Sequence, residues 1–230
     1  MPGLEVVLLD VNETLSDLEP LRARFAAVGA PEHLLDPWFA STLRDGFALA
    51  AGEAAAPFLE VGAAALRTLL APLPGLTVPL EDAVQQVVAG LSTLDVHPDV
   101  PEGLRLLADG GLRVVPFSNG AAASAQQLLE RAGLSELVER CLSVEDAGRW
   151  KPHARSYAYA LGECGVEPEQ AALLAVHPWD TDGARRSGLV SGWLDRRDVP
   201  YPDVFLPPDV TGPDLPAVAR ALLARQPQLP

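Results

Sequence analysis

The sequence predicts a doubly wound α/β fold, a parallel sheet wrapped by helices, carrying a separate all-helical insertion. Three observations point there. Short apolar runs of strand length alternate with helix-length amphipathic stretches, the signature of β-α-β units. The first run, residues 4–9, is continuously apolar apart from Glu5, as a strand buried on both faces requires. One long interval, residues 16–95, contains no convincing strand and interrupts the alternation.

Taken in chain order, the predicted strands are residues 4–9, 112–117, 141–144, 171–176 and 189–194. Helices are predicted over 100–109, 121–132, 153–164 and 182–187. Between 16 and 95, Ala- and Leu-rich helical patterns are punctuated by Pro31, Pro57, Pro72, Pro74 and Pro79. They give four helices, near 18–29, 34–51, 55–71 and 80–91. This interval is read as a helical cap, with hinges at 15–17 and 93–98. The core is then 1–15 plus 96–230, and the proline-rich stretch after Pro200 ends in a helix near 213–225.

The 230 residues suffice for such a core plus insertion, and at 48% hydrophobic the chain can bury it. A net charge of −14 with no offsetting basic run argues against nucleic acid or an anionic membrane as partner. A small anionic substrate would need locally placed cations. Cys141 and Cys164 lack any CxxC or Cys/His spacing and read as buried thiols. With no signal-peptide pattern and no apolar run of membrane-spanning length, a cytoplasmic protein is expected. His33, His97 and His153 show no metal-ligand spacing and are expected at the surface.

Open parallel sheets bind ligands beyond the carboxyl ends of their strands. The residues just past the predicted strands are Asp10, Ser118 with Asn119, Lys151, and His177 with Asp180. Each also has a plainer reading. Asp10 could cap a strand end, Ser118, Asn119 or Asp180 could N-cap helices, and Lys151 could be a solvated lysine. His177 could be a satisfied structural histidine.

The four segments resemble, in order and spacing, the four motifs of the haloacid dehalogenase superfamily. They are Asp10-Val-Asn12-Glu-Thr14-Leu, Val-Pro-Phe-Ser118-Asn119-Gly, Trp-Lys151-Pro followed by Tyr157, and Trp179-Asp180-Thr-Asp182-Gly-Ala. Within the superfamily the chain is most similar to the L-2-haloacid dehalogenase branch. Phosphatases of the superfamily carry an Asp two residues after the nucleophile, to protonate an alkoxide; here that residue is Asn12, which cannot do so. A halide leaves as a weak base and needs no acid.

The resemblance implies a hydrolase cleaving small 2-haloacids, fluorinated ones included, without metal or other cofactor. Asp10 would attack carbon to form an ester that water then cleaves. Lys151 would keep Asp10 ionised, with Thr14 and Ser118 orienting the charges. Asp180, or His177, would activate the water. Asn12, Arg44, Asn119, Tyr157, His177 and Trp179 would contact the substrate. Dimers are frequent in that branch, which leaves a homodimer open by analogy alone.

The chain departs from the family pattern in three places. Asn12-Glu13 stands where the family has Tyr-Gly. Ala175-Val-His177 replaces Ser-x-Asn. Phe39 follows Trp38 where a substrate-binding Arg is expected, so Arg44, further along that helix, is the replacement candidate against a plain surface role. Two other functions stay open. One is a phosphatase holding Mg on Asp10, Asp180 and Asp182; the other is a non-catalytic binding protein of the same fold.

Overall fold

Six parallel strands form a single sheet in the order β3-β2-β1-β4-β5-β6 in the computed structural model, which describes residues 3–225. The strands are β1 (Val6–Leu9), β2 (Arg113–Ser118), β3 (Leu142–Ser143), β4 (Ala171–Ala175), β5 (Val190–Leu194) and β6 (Val210–Gly212). Strand β1 lies at the centre, pairing with β2 on one side and β4 on the other. All four of its side chains are fully buried, which is why its sequence shows no polar alternation. Val6 and Leu8 face one apolar cluster, and Val7 and Leu9 face the other, as the two-residue period of a strand dictates.

Helices cover both faces. Packed with Val7 and Leu9 are α5 (Val100–Asp109), α6 (Ala122–Arg131) and α10 (Leu215–Ala224). On the opposite face lie α8 (Ala154–Cys164) and α9 (Pro178–Arg186), and the short α7 (Val144–Ala147) precedes them in the chain. Between β1 and α5 the chain builds α1 (Leu21–Ala27), α2 (Leu35–Ala51), α3 (Phe58–Leu70) and α4 (Leu80–Gly90). These four helices share a core of Phe25, Trp38, Leu66, Leu70 and Val87 that is continuous with the Val6 cluster. The chain segments entering and leaving them run side by side. Asp17 N–H donates to the Asp95 carbonyl (2.9 Å), and His97 N–H to that of Leu15 (2.9 Å).

One contact fixes α2 against the α/β layer. Trp150, from the loop before α8, packs against Gly46 so tightly that a Cβ there would lie 2.2 Å from its ring. Its indole N–H donates to the Ala56 carbonyl at 2.9 Å. Among the described residues, no helix is long and apolar enough to cross a membrane.

The structure corrects the sequence reading at several points. The helix expected from 182 begins at Pro178, because Pro at the first helical position needs no N–H partner and presets φ. Asp180 therefore sits inside the first turn of α9, not at its N-cap. The strand expected over 141–144 is only Leu142–Ser143, since Ser143 Oγ accepts from Glu145 N–H (3.0 Å) and starts α7. Strand β6 was not expected at all. Helix α6 is capped by Ala121, without a side-chain bond, so neither Ser118 nor Asn119 serves as its cap. Cys141 is only half-buried. His33 is exposed, but His97 and His153 are half-buried. His97 Nε2 donates to the Glu13 carbonyl (3.1 Å), and His153 Nδ1 accepts from Arg155 N–H (3.2 Å) at the start of α8.

Candidate active site

Chain direction alone places the carboxyl ends of β1, β2 and β4 on one edge of the sheet. Asp10 follows β1 directly, and its N–H still donates to Leu174 of β4 (3.1 Å). The chain then turns tightly, with Leu15 N–H donating to the Val11 carbonyl (2.9 Å). That turn brings Thr14 back over Asp10: Thr14 Oγ1 donates to Asp10 Oδ2 (2.7 Å) and accepts from Val176 N–H (3.1 Å).

Lys151 is completely buried, and its ammonium uses all three donors. Nζ donates to Asp10 Oδ1 (3.0 Å), Asp180 Oδ2 (2.6 Å) and the Phe117 carbonyl (2.8 Å). Asn119 clamps the Lys151 backbone, accepting its N–H on Oδ1 (2.9 Å) and donating from Nδ2 to its carbonyl (3.3 Å). The Lys151–Pro152 peptide is cis. Tyr157 OH donates to Asp180 Oδ1 (2.7 Å), which leaves Asp180 buried with both oxygens engaged. Gly183 makes this possible, because a Cβ there would meet the Tyr157 hydroxyl at 2.5 Å.

The electrostatics follow from these contacts. Burial pushes the Asp10 carboxyl up, but Lys151, His177 and Thr14 outweigh it and hold the group well below the usual carboxylate range. Burial would likewise strip Lys151 of its proton; Asp10 and Asp180 reverse that and raise its pKa. For Asp180, burial and the facing Asp10 prevail over Lys151, and its carboxyl titrates higher than normal.

His177 completes the ring of donors. Its Nδ1 lies 2.9 Å from Asp10 Oδ2, and its Nε2 lies 2.9 Å from Glu13 Oε2. Its faces are covered by Phe39 of α2 (centroids 6.1 Å apart) and by Trp179 (4.9 Å). Burial disfavours the imidazolium, yet the two carboxylates raise its pKa from 6.5 to about 9. Beside His177 opens a cavity of about 530 Å³ between α2 and the ends of β4 and β5, with Phe39, Leu43 and Trp193 on its apolar walls.

Seven of the expected site residues thus join in one hydrogen-bonded network: Asp10, Thr14, Asn119, Lys151, Tyr157, His177 and Asp180. Ser118 is buried next to it, its Oγ accepting from Gly120 N–H (2.8 Å). Trp179 enters through its stacking on His177. Asn12 is half-buried and pairs with Ser16 through its backbone. Arg44 is not brought to the site. Its side chain is 68% exposed and pairs with Asp45 (2.8 Å), and it does not line the cavity. Glu13 is the residue the sequence reading missed. Its one signal was a charged side chain where the family has glycine, and its backbone lies in the left-handed region (φ 60°).

The carboxylates that a magnesium site would recruit do not fit one. Lys151 Nζ already occupies the space between Asp10 and Asp180. Asp182 turns away, accepting from Arg186 (2.8 Å) and Leu206 N–H (2.9 Å). Among the described residues, no three His, Cys, Asp or Glu side chains are grouped to hold a metal ion.

The family model for haloacid dehalogenase-like hydrolases matches residues 4–188. Curated relatives include haloacetate dehalogenase H-2 of Moraxella sp. (strain B), 30% identical over 131 residues, covering 56% of this chain and 58% of that protein. Another is the (S)-2-haloacid dehalogenase of Xanthobacter autotrophicus, 28% identical over 81% of this chain and 73% of the relative. With the first of these relatives, the match spans only about half of their length. Among solved structures, an L-2-haloacid dehalogenase superimposes with a TM-score of 0.86 at 27% identity, covering 97% of this chain and 98% of the other. The L-2-haloacid dehalogenase of Xanthobacter autotrophicus gives 0.85 at 23% identity, covering 96% and 99%. By the family match over most of its length, the chain belongs to the haloacid dehalogenase-like hydrolases.

Proposed function

We propose that this protein hydrolyses the carbon–halogen bond of small 2-haloacids, without a metal, through an ester on Asp10. The observation that carries this reading is the state of Asp10: a buried carboxylate kept ionised by a buried ammonium, with no proton donor at position 12. Such a group attacks carbon readily when the leaving group departs as a stable anion.

In the first step Asp10 displaces halide from the substrate carbon. Lys151 holds Oδ1 on the buried side, so we take as the attacking oxygen Oδ2, which accepts from Thr14 and lies against His177, itself part of the cavity wall. Water then adds to Cγ of the ester, and the product hydroxy acid departs with Oδ2 as its hydroxyl. Asp180 and Tyr157 hold the Lys151 ammonium in place. In this reading Ser118 and Asn119, at the end of β2, offer donors for the substrate carboxylate, and Asn12 and Trp179 contact the rest of the substrate. The helices of residues 16–95 serve as the cap that excludes solvent, with Phe39 as its nearest ring to His177. Dehalogenases of 2-haloacids among the relatives support the substrate class. Fluorinated acids belong to the substrates to be tried.

Halide release from chloroacetate, fluoroacetate and racemic 2-chloropropionate, with EDTA present, tests the proposal. Wild-type chain should release halide and Asp10→Asn should not. A single turnover in ¹⁸O-water should leave the label in Asp10, not in the product. Release that EDTA abolishes, or no release from any of the three acids, defeats the proposal.

A further inference from the structure

The groups that would hold the substrate are walled off from the open space beside them. Asp10, Ser118 and Asn119 are each at most 4% exposed. The cavity of about 530 Å³ reaches His177 and Glu13, but none of those three residues lines it. Between the two spaces stand the rings of His177 and Phe39, both of which do line the cavity. His177 is tied at both nitrogens, to Asp10 and to Glu13, at 2.9 Å each. Phe39 has no polar atom to anchor it and keeps its place by packing alone.

Phe39 reaches this position from α2. Leu35, Phe39 and Leu43 recur every four residues, so they share the helix face that looks onto the cavity. The helix cannot draw back, because one turn further on Gly46 lies against the Trp150 ring. The Phe39 ring stacks on His177 (centroids 6.1 Å apart) and packs against Phe58 (6.4 Å). Phe58 in turn sits over Gly120, where a Cβ would lie 3.9 Å from it, and Gly120 N–H donates to Ser118 Oγ (2.8 Å). The ring therefore spans the gap from the Asp10 end of the site to the Ser118 end.

Resting on the 2-haloacid reading, we propose that Phe39 is the size filter of the site, admitting acids with a hydrogen or a methyl group at C2 and turning away longer chains. An acid with its carboxylate at Ser118 and Asn119, and its C2 at Asp10 Oδ2, lies under the ring, so its C2 substituent meets Phe39. A short acid enters while the ring turns about its two side-chain bonds into the cavity, and the ring then closes over it. A longer substituent keeps the ring displaced. The contacts with His177 and Phe58 are then lost for as long as the acid is bound, in the transition state as in the ground state. Removing the ring joins the two spaces. A chain at C2 would then extend into the cavity, where Leu35, Leu43 and Trp193 supply apolar walls. Apolar pockets discriminate by about 10–200-fold for each methylene, which sets the scale of the effect.

The test uses the full chain and compares racemic 2-chloropropionate with racemic 2-chlorohexanoate, which share a leaving group and differ only in chain length. Wild type should prefer the short acid by about 100-fold or more in kcat/KM. Phe39→Ala should lower that ratio about 100-fold and Phe39→Leu about tenfold, with 2-chloropropionate still hydrolysed by both. The leucine variant keeps most of the packing and carries the test should the alanine variant fail to fold. Val87→Ala, in the cap core, loosens the cap while leaving the ring in place and should keep the wild-type ratio. A ratio unchanged in both Phe39 variants overturns the proposal, as does a wild type that takes the two acids alike. So does a Val87→Ala ratio that moves as far as that of Phe39→Ala, since cap looseness would then set the preference. Loss of 2-chloropropionate hydrolysis in a folded Phe39→Leu protein also overturns it, because the ring would then serve the reaction and not the selection. No halide release from wild type removes the 2-haloacid reading itself, and the filter with it.

Discussion

Raising the pH from 6 to 10 should cost this protein about 3 kcal/mol of folding stability through His177 alone. In the unfolded chain the imidazole binds its proton with a pKa near 6.5; in the folded chain Asp10 and Glu13 raise it to about 9. Each tenfold change in proton affinity is worth ~1.4 kcal/mol, which sets the magnitude. The direction follows from linkage. Below pH 6.5 both states hold the proton and the ion pairs contribute in full. Between 6.5 and about 9 only the folded state holds it, so stability falls with every unit. Above about 9 the contribution is gone. The assay is urea unfolding of wild type and His177→Gln at pH 6, 8 and 10, at fixed ionic strength. Taking the difference between the two proteins removes the other titrating groups. The wild-type advantage should shrink by about 3 kcal/mol across that range, a large part of the 5–15 kcal/mol typical of a domain. NMR titration of the His177 ring should report the same midpoint. A difference that stays flat with pH, or a ring titrating at or below 6.5, would falsify the account, since burial would then outweigh both carboxylates.

Three further outcomes are expected. Lys151→Met leaves Asp10 and Asp180 buried without their ammonium and should destabilise by about 3–5 kcal/mol while abolishing halide release. Its thermal-melting deficit should narrow from pH 8 to pH 5 as one of the carboxyls takes up a proton. Gly46→Ala drives a methyl into the Trp150 ring and should lower stability by about 1–3 kcal/mol, with an unchanged urea m-value, despite the better helix propensity of Ala. Arg44→Ala should leave the urea midpoint and the KM for 2-chloropropionate as they were, because its pair with Asp45 is solvent-screened. A large rise in KM would return Arg44 to the substrate.

The parts of the fold that were readable from sequence are those governed by periodic burial. β1 and β4 are fully buried on both faces, so uninterrupted apolar runs marked them. Helices α2, α3 and α4 carry clear apolar stripes between prolines and were placed to within a few residues. Strand β6 is three residues at the sheet edge, ending in glycine and bonded only to β5; nothing so short stands out from its flanking loops. At the site, the strand-end rule found Asp10, Asn119 and His177 because topology alone delivers them. Lys151 sits in a loop; the strand-end rule includes it, but only the motif around it sets it apart from a solvated lysine, and its complete burial leaves no trace in the sequence. Glu13 and Arg197 meet through a left-handed turn and a contact spanning most of the chain, neither of which leaves a periodic trace. Arg44 misled for the opposite reason: helical spacing does not say which way a long, flexible side chain will reach.

The grip of Lys151 on Asp10 Oδ1 has a second use in the proposed two-step reaction. Oδ1 is the oxygen that stays with Asp10, and it gathers negative charge when water adds to Cγ. The ammonium is already 3.0 Å from it, anchored from behind by Asp180 and the Phe117 carbonyl, so no donor has to be recruited as the charge develops. Lys151 thereby acts as a ready-made oxyanion hole. The same contact tempers Asp10 as a nucleophile in the first step and makes its acyl carbon a better electrophile in the second. The two barriers are traded against each other at a single nitrogen atom.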